Sequence, residues 1–278
     1  TMRIRLAHSP DPDDAFMFYG LAQGAIDAGP YEFEHVLADI QTLNERAQAG
    51  DYEVTAISVH AYPYVCDKYA LTACGSSMGD NYGPLVVSRA PMSVAQLGGQ
   101  SIAVPGRMTT AFLVLQLLLG KDGFTPQVVM FDQIPSEVLG GRVAAGLLIH
   151  EGQLTYAQQR LHAVIDLGVW WHERTGLPLP LGGNAIRRDL GQQRCREITD
   201  IIRRSIRYGL EHRAEAVRYA LQFGRGLDTE LADRFVGMYV NEWTLDYGPR
   251  GREAVRRLLA DGAAAGLVPP VSRLDFID

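Results

Sequence analysis

The chain has 278 residues, of which 47% are hydrophobic and 21% charged, and a formal net charge of −6. That is an ordinary globular balance with enough apolar material for one large or two small packed domains. The acidic surplus, with no basic stripe carrying interleaved aromatics, argues against nucleic acid or an anionic membrane surface as the main partner. No run approaches the ~20 apolar residues that span a bilayer, so no membrane span is expected. The N-terminal TMRIRLAHSPDPDD lacks the apolar core of a signal peptide. Cys66, Cys74 and Cys195 form no CxxC pair, which points to neither a disulfide framework nor a zinc knuckle and suits a reducing, cytoplasmic compartment. A small-molecule substrate is the expected partner. The oligomeric state is left open, with a homodimer as one option.

In chain order, Ile4 to Ala7 reads as a strand running into the HSPDPDD loop, where Asp13 or Asp14 can cap a helix from Ala15 to about Gln23. Tyr31 to Ala38 is a second strand, Ile40 to Ala49 a helix, Glu53 to Ile57 a third strand, and His60 to Cys66 a short helix broken by Pro63. Leu85 to Ser88 is a further strand of this first unit. The pattern then restarts with strand Ser101 to Val104, helix Ala111 to Leu119, strand Gln127 to Met130, helix Ile134 to Gly140 and strand Ala144 to Ile149. Beyond Pro178 a returning strand, Asn184 to Ile186, is followed by helices to the end. Alternating strands and helices predict parallel sheets covered by helices. The economical architecture is α/β with two lobes: residues 1–90 and 181–278 in the larger, 91–180 in the smaller, crossings near 88–100 and 178–186, and a ligand cleft between them.

Candidate chemistry gathers at strand ends, where open α/β sheets bind ligands. The apolar run Ala144 to Ile149 ends in His150, a ring whose ordinary titration range suits proton transfer near neutral pH. In Val104-Pro105-Gly106-Arg107-Met108-Thr109-Thr110, Gly106 allows close approach. The first-turn N–H groups and the two threonine hydroxyls then make an anion cradle of carboxylate size. Arg107 is the obvious cation for an acidic substrate. Ser58, Asp39, and Ser9 with Asp14 follow three further strands. The tryptophan pair Trp170-Trp171 is read chiefly as lobe packing. No HExxH, GxSxG or GxxxxGK[ST] pattern occurs, so zinc hydrolysis, a serine elbow and a nucleoside triphosphate are not indicated.

The stretches SPDPDDAFMFYGL, LADIQTLN, VPGRMTTAF, AGLLIHEGQLTY and DLGVWWHERTGLPLPLG together resemble the 1,4-dihydroxy-6-naphthoate synthase family of the futalosine route to menaquinone. The resemblance covers nearly the whole chain. It implies a periplasmic-binding-protein-like, two-lobed fold used inside the cell. It also implies a carbon–carbon lyase that releases the dihydroxynaphthoate from cyclic dehypoxanthinyl futalosine, with no metal or redox cofactor. His150 would be the general base, and Ser58, Thr109 and Thr110 would line the ligand site. The chain departs from that family's pattern at Asp11, where Cys is expected, at Asp13, where Asn is expected, and at Val59-His60. The alternative is a non-catalytic binding protein for a small carboxylate on the same fold, since a fold does not fix a function.

Overall fold

The computed structural model describes residues 1–224 and 226–278, and its strands form two mixed sheets. The larger sheet contains β1 (Met2–His8), β2 (Tyr31–Leu37), β3 (Val54–Ser58), β4 (Tyr69–Thr72), β5 (Ser77–Gly79), β11 (Leu179–Arg187) and β12 (Phe276–Ile277). Its order is β12-β4-β11-β3-β1-β2, with β5 also pairing with β11. The smaller sheet has β6 (Leu85–Ser88), β7 (Ser101–Val104), β8 (Thr125–Val128), β9 (Ala145–Leu148) and β10 (His162–Asp166) in the order β10-β6-β9-β7-β8. The helices are α1 (Pro12–Met17), α2 (Tyr19–Ala22), α3 (Ile40–Ala49), α4 (Thr110–Leu119), α5 (Ile134–Leu139), α6 (Gly152–Thr155) and α7 (Leu167–Thr175). They continue with α8 (Gln192–Glu211), α9 (Arg213–Leu221), α10 (Thr229–Tyr239), α11 (Glu242–Leu245) and α12 (Gly248–Ala264).

The strands β3 and β9 are buried along their whole length, as strands covered on both faces should be. The strand β11 runs antiparallel between β3 and β4, with Gly182 opposite Ser58. This register lays Gly182 and Gly183 beside the end of β3. Helix α8 buries Cys195, Ile198, Ile202, Ser205, Ile206 and Gly209, the three-and-four spacing of an amphipathic helix. Its apolar stripe joins residues of β1, α1, α9 and α10 in one core. A second core crosses between the sheets: Val104, Phe112 and Leu115 pack in the same cluster as Tyr62, Tyr69 and Leu258.

The chain leaves the larger sheet after β5 and returns through α7. These two crossings touch. A Cβ on Gly168 would lie 2.0 Å from the Tyr82 carbonyl, so only glycine fits there, and Leu167 N–H donates to the Pro84 carbonyl at 2.9 Å.

Several expectations are corrected. Leu85–Ser88, assigned from sequence to the first unit, pairs with β9 and β10 in the smaller sheet, so the sheets divide before residue 85 rather than near 90. The sheets are mixed: β6, β10 and β11 all run antiparallel to neighbours. The expected helix from Ala15 to Gln23 is two short ones broken at Phe18, and it begins at Pro12 with Asp11 at the N-cap. The expected Gln127–Met130 strand lies two residues earlier, as β8. The strands β4, β5, β10 and β12 had no clear signal, and β12 shows that the C-terminal region is not helical to its end.

Candidate active site

A cleft enclosing about 720 Å³, part of it open to solvent, is lined from both sheets. The larger one contributes Ser9, Asp13 and Asp14 after β1, Ser58 at the end of β3, and Gly182 and Gly183 of β11. The smaller one contributes Thr109, Thr110 and Ala111 at the start of α4, His150 after β9, and Gln153 of α6. Helix α10 closes one side with Phe235 and Tyr239.

Two residues past β9, His150 has φ +55, the left-handed region. A non-glycine residue adopts it only where surrounding contacts outweigh a cost of roughly 1–3 kcal/mol. One contact is the edge of the Phe131 ring, with centroids 4.6 Å apart at 70°. Another is Asp11, whose Oδ2 lies 3.4 Å from His150 Nε2. That nitrogen is buried without a hydrogen-bond partner among the described residues.

Ser58 is held by Asn44, which is fully buried: Asn44 Nδ2 donates to Ser58 Oγ at 2.9 Å, and Ser58 N–H donates to Asn44 Oδ1 at 2.9 Å. The Ser58 hydroxyl proton remains available. The threonine hydroxyls are already engaged. Thr109 Oγ1 donates to the Gly106 carbonyl at 3.1 Å and accepts from Phe112 N–H, capping α4. Thr110 Oγ1 donates to the Leu181 carbonyl at 2.6 Å and accepts from His60 N–H at 3.2 Å. His60 Nδ1 also meets the Thr109 carbonyl at 2.8 Å. Burial lowers the pKa of His60, favouring a neutral ring that donates through Nδ1. The threonines therefore fix the helix start rather than offer hydroxyl donors. What α4 presents is its unpaired first-turn N–H groups and the positive end of its dipole.

The acidic side of the cleft is unusual. Asp14 Oδ2 accepts from Ser9 N–H at 2.9 Å, while Asp13 Oδ1 is buried with no hydrogen-bond partner among the described residues. Burial raises the pKa of both carboxyls, and for Asp13 the charges of Asp14 and Asp11 raise it further. Among the described residues no three His, Cys, Asp or Glu side chains form a group able to hold a metal ion.

Of the residues singled out from sequence, His150, Ser58, Thr109, Thr110 and Asp14 line one cleft, and Gly106, Asp39 and Arg107 do not. Asp39 is the N-cap of α3, accepting from Thr42 N–H at 3.2 Å and from the Thr42 hydroxyl at 2.5 Å. Gly106 makes room for Gln41, whose Oε1 would lie 2.2 Å from an added Cβ and accepts from Met108 N–H at 3.1 Å. Arg107 points into solvent. Asp13, Gln153, Phe235 and Tyr239 were missed. Gln153 lies inside the conspicuous HEGQLTY stretch, but the α10 pair had no signal because it reaches the cleft only through packing.

A two-lobed α/β chain with a ligand-sized cleft between its sheets belongs to the periplasmic-binding-protein-like class. The solved structure of an alkanesulfonate-binding protein from Xanthomonas axonopodis pv. citri superposes with TM-score 0.71 over 98% of this chain and 97% of its own. At 10% identity that likeness is one of fold alone. Within this class the chain belongs to the menaquinone biosynthesis family, whose profile matches residues 4–264. It is similar to the 1,4-dihydroxy-6-naphtoate synthase of Thermus thermophilus, with 43% identity over 99% of both chains. The enzyme of the same name from Streptomyces coelicolor is 38% identical over 96% of this chain and 95% of its own. A crystal structure of a protein from Archaeoglobus fulgidus superposes with TM-score 0.91 and 48% identity over 96% of this chain and 98% of that one.

Proposed function

We propose that the protein acts in menaquinone biosynthesis as a 1,4-dihydroxy-6-naphthoate synthase, a lyase that opens cyclic dehypoxanthinyl futalosine by base-assisted carbon–carbon cleavage. The observation that carries this reading is a strained histidine and an open helix N-terminus facing one cleft, in a chain 43% identical to an enzyme of that name.

The neutral His150 ring takes a proton from the substrate. The bond beside the ketone then breaks, and the oxygen that gains charge is held by preorganised donors. Ser58 Oγ–H and the first-turn N–H groups of α4 are the candidates, the latter also suiting the substrate carboxylate. Formation of an aromatic naphthalenediol drives the step. The apolar wall of Ile40, Ala56, Ile57, Leu181 and Phe235 limits water around the reacting atoms. The direct test is incubation with cyclic dehypoxanthinyl futalosine, followed by chromatographic detection of 1,4-dihydroxy-6-naphthoate. No product from folded protein would sink the reading.

A further inference from the structure

Behind His150, outside the lining of the cleft, stands a carboxylate that the base-assisted cleavage does not use. Asp11 stands at the N-cap of α1, yet its side chain makes no capping hydrogen bond. It is buried, and it turns instead toward His150, placing Oδ2 3.4 Å from Nε2. The residues come from different sheets, Asp11 from the loop after β1 of the larger and His150 from the loop after β9 of the smaller. We propose that Asp11 is the positioning residue for His150, holding the ring with Nε2–H toward the carboxylate so that Nδ1 faces the cleft as the proton acceptor. This rests on the reading of His150 as the base.

The geometry supports it in three ways. Among the described residues Nε2 has no hydrogen-bond partner, and a buried ring N–H left alone is unfavourable. The separation is a few tenths of an ångström beyond an ordinary hydrogen bond, and such bonds commonly tighten when substrate binds. The left-handed backbone and the Phe131 edge already restrict the ring, leaving the tautomer as the remaining freedom. Once the ring takes a proton, an adjacent carboxylate stabilises the imidazolium. The other acidic groups nearby are Asp13 and Asp14 of α1, Glu151 next in the chain, and Asp132, exposed beside Phe131. Asp14 is engaged by Ser9 N–H, and burial disfavours the charged forms of Asp13 and Asp14. Asp11 is the acidic side chain within ion-pair distance of the His150 ring among the described residues.

The test compares the parent with Asp11→Asn, which keeps the shape and removes the charge, and with Asp11→Glu. For Asp11→Asn we expect parent-like thermal stability, KM within a few-fold, and kcat lower by about 10- to 100-fold, part of the ~10²–10⁴ a positioned base supplies. The acid limb of its kcat/KM profile should move to lower pH, because the imidazolium has lost its counter-charge. Asp11→Glu should recover part of the rate and restore the acid limb. In ligand-free protein, the NMR resonances of the His150 ring should change at lower pH in Asp11→Asn than in the parent. Unchanged kcat and pH profile in Asp11→Asn, or unchanged ring titration, would overturn the proposal. If the parent itself released no naphthoate, the function would be wrong, and the NMR comparison would still decide whether the pair exists.

Discussion

The hydroxyl of Tyr239 donates a 2.5 Å hydrogen bond to Oε1 of Gln153, joining α10 to α6 at the edge of the cleft. Both side chains line the cleft and both are buried, so the bond ties the C-terminal helices to the segment that carries His150. Burial holds the Tyr239 phenol well above its ordinary range, so it stays a donor at any working pH.

Tyr239→Phe should therefore leave the Gln153 carbonyl unpaired. An unsatisfied buried acceptor costs about 1–3 kcal/mol, which lowers the thermal midpoint by several degrees in a domain of this size. KM for the cyclic substrate should rise while kcat changes less, since the bond closes the cleft and touches no reacting atom. Calorimetry and steady-state kinetics check both halves, and a variant with parent Tm and KM would show that the bond contributes nothing.

His150→Asn should keep the fold and lose the chemistry. Asn tolerates the left-handed backbone that His150 adopts at φ +55. Turnover should fall by roughly 10²–10⁴-fold with little change in ligand affinity. His150→Val should instead unfold more easily, because a β-branched side chain is poorly accommodated at positive φ. Kinetics and thermal melts on the two variants separate the roles; an Asn variant within a few-fold of parent kcat would remove His150 as the base.

Thr110→Val deletes the donor to Leu181 O and the acceptor for His60 N–H, the second of which is buried. The expected cost is about 1–3 kcal/mol of stability, together with weaker substrate binding as the start of α4 shifts. Thr110→Ser keeps both bonds and should behave like the parent. Were the Ser variant as impaired as the Val variant, the methyl group rather than the hydroxyl would matter. Chemical denaturation and KM measurements distinguish these outcomes.

His8 and His35 face one another, Nε2 to Nδ1 at 3.2 Å. Burial is the main cause that lowers both to about 4 from 6.5, and for His35 the charge of His8 adds to it. The folded rings stay neutral while the unfolded chain takes up protons below about 6.5. Their contribution is thus present above that pH and lost as pH falls through 4. Asp13 and Asp14 work oppositely, because burial makes the folded carboxyls bind protons more readily than the unfolded ones. Comparing urea denaturation at pH 7 and pH 5, His8→Gln should lose less stability than the parent by about 1–2 kcal/mol. Equal losses would mean that the histidines do not set the acid sensitivity.

Much of the fold was legible because local patterns determine it. The run Ala144 to Ile149 reads as a buried strand from its length and lack of polar breaks, and His150 at its end follows. The helix α4 reads from Thr109 as cap and the apolar run behind it. Sheet membership was not legible. Leu85–Ser88 has the composition of a buried strand in either sheet, and only its pairing with β9 and β10 decides. The two- to four-residue strands β4, β5 and β12 are too short for any periodicity and exist because β11 and β4 offer open edges.

The candidate site divides the same way. Residue type and strand-end position singled out His150, Ser58 and the Gly106–Thr110 turn, because those depend on chemistry within a few residues. Direction did not follow: Arg107 has the right charge for an anionic ligand and points to solvent, while the threonine hydroxyls turn inward to Leu181, Gly106 and their own helix. The sequence by itself determined the family, the α/β class and the histidine. Tertiary structure alone decided that Asp11 meets that histidine, that Asp13 Oδ1 is buried without a hydrogen-bond partner among the described residues, and that Tyr239 closes the cleft. Each of those facts is a distance between residues far apart in the chain, set by how two sheets and the C-terminal helices pack rather than by any local preference.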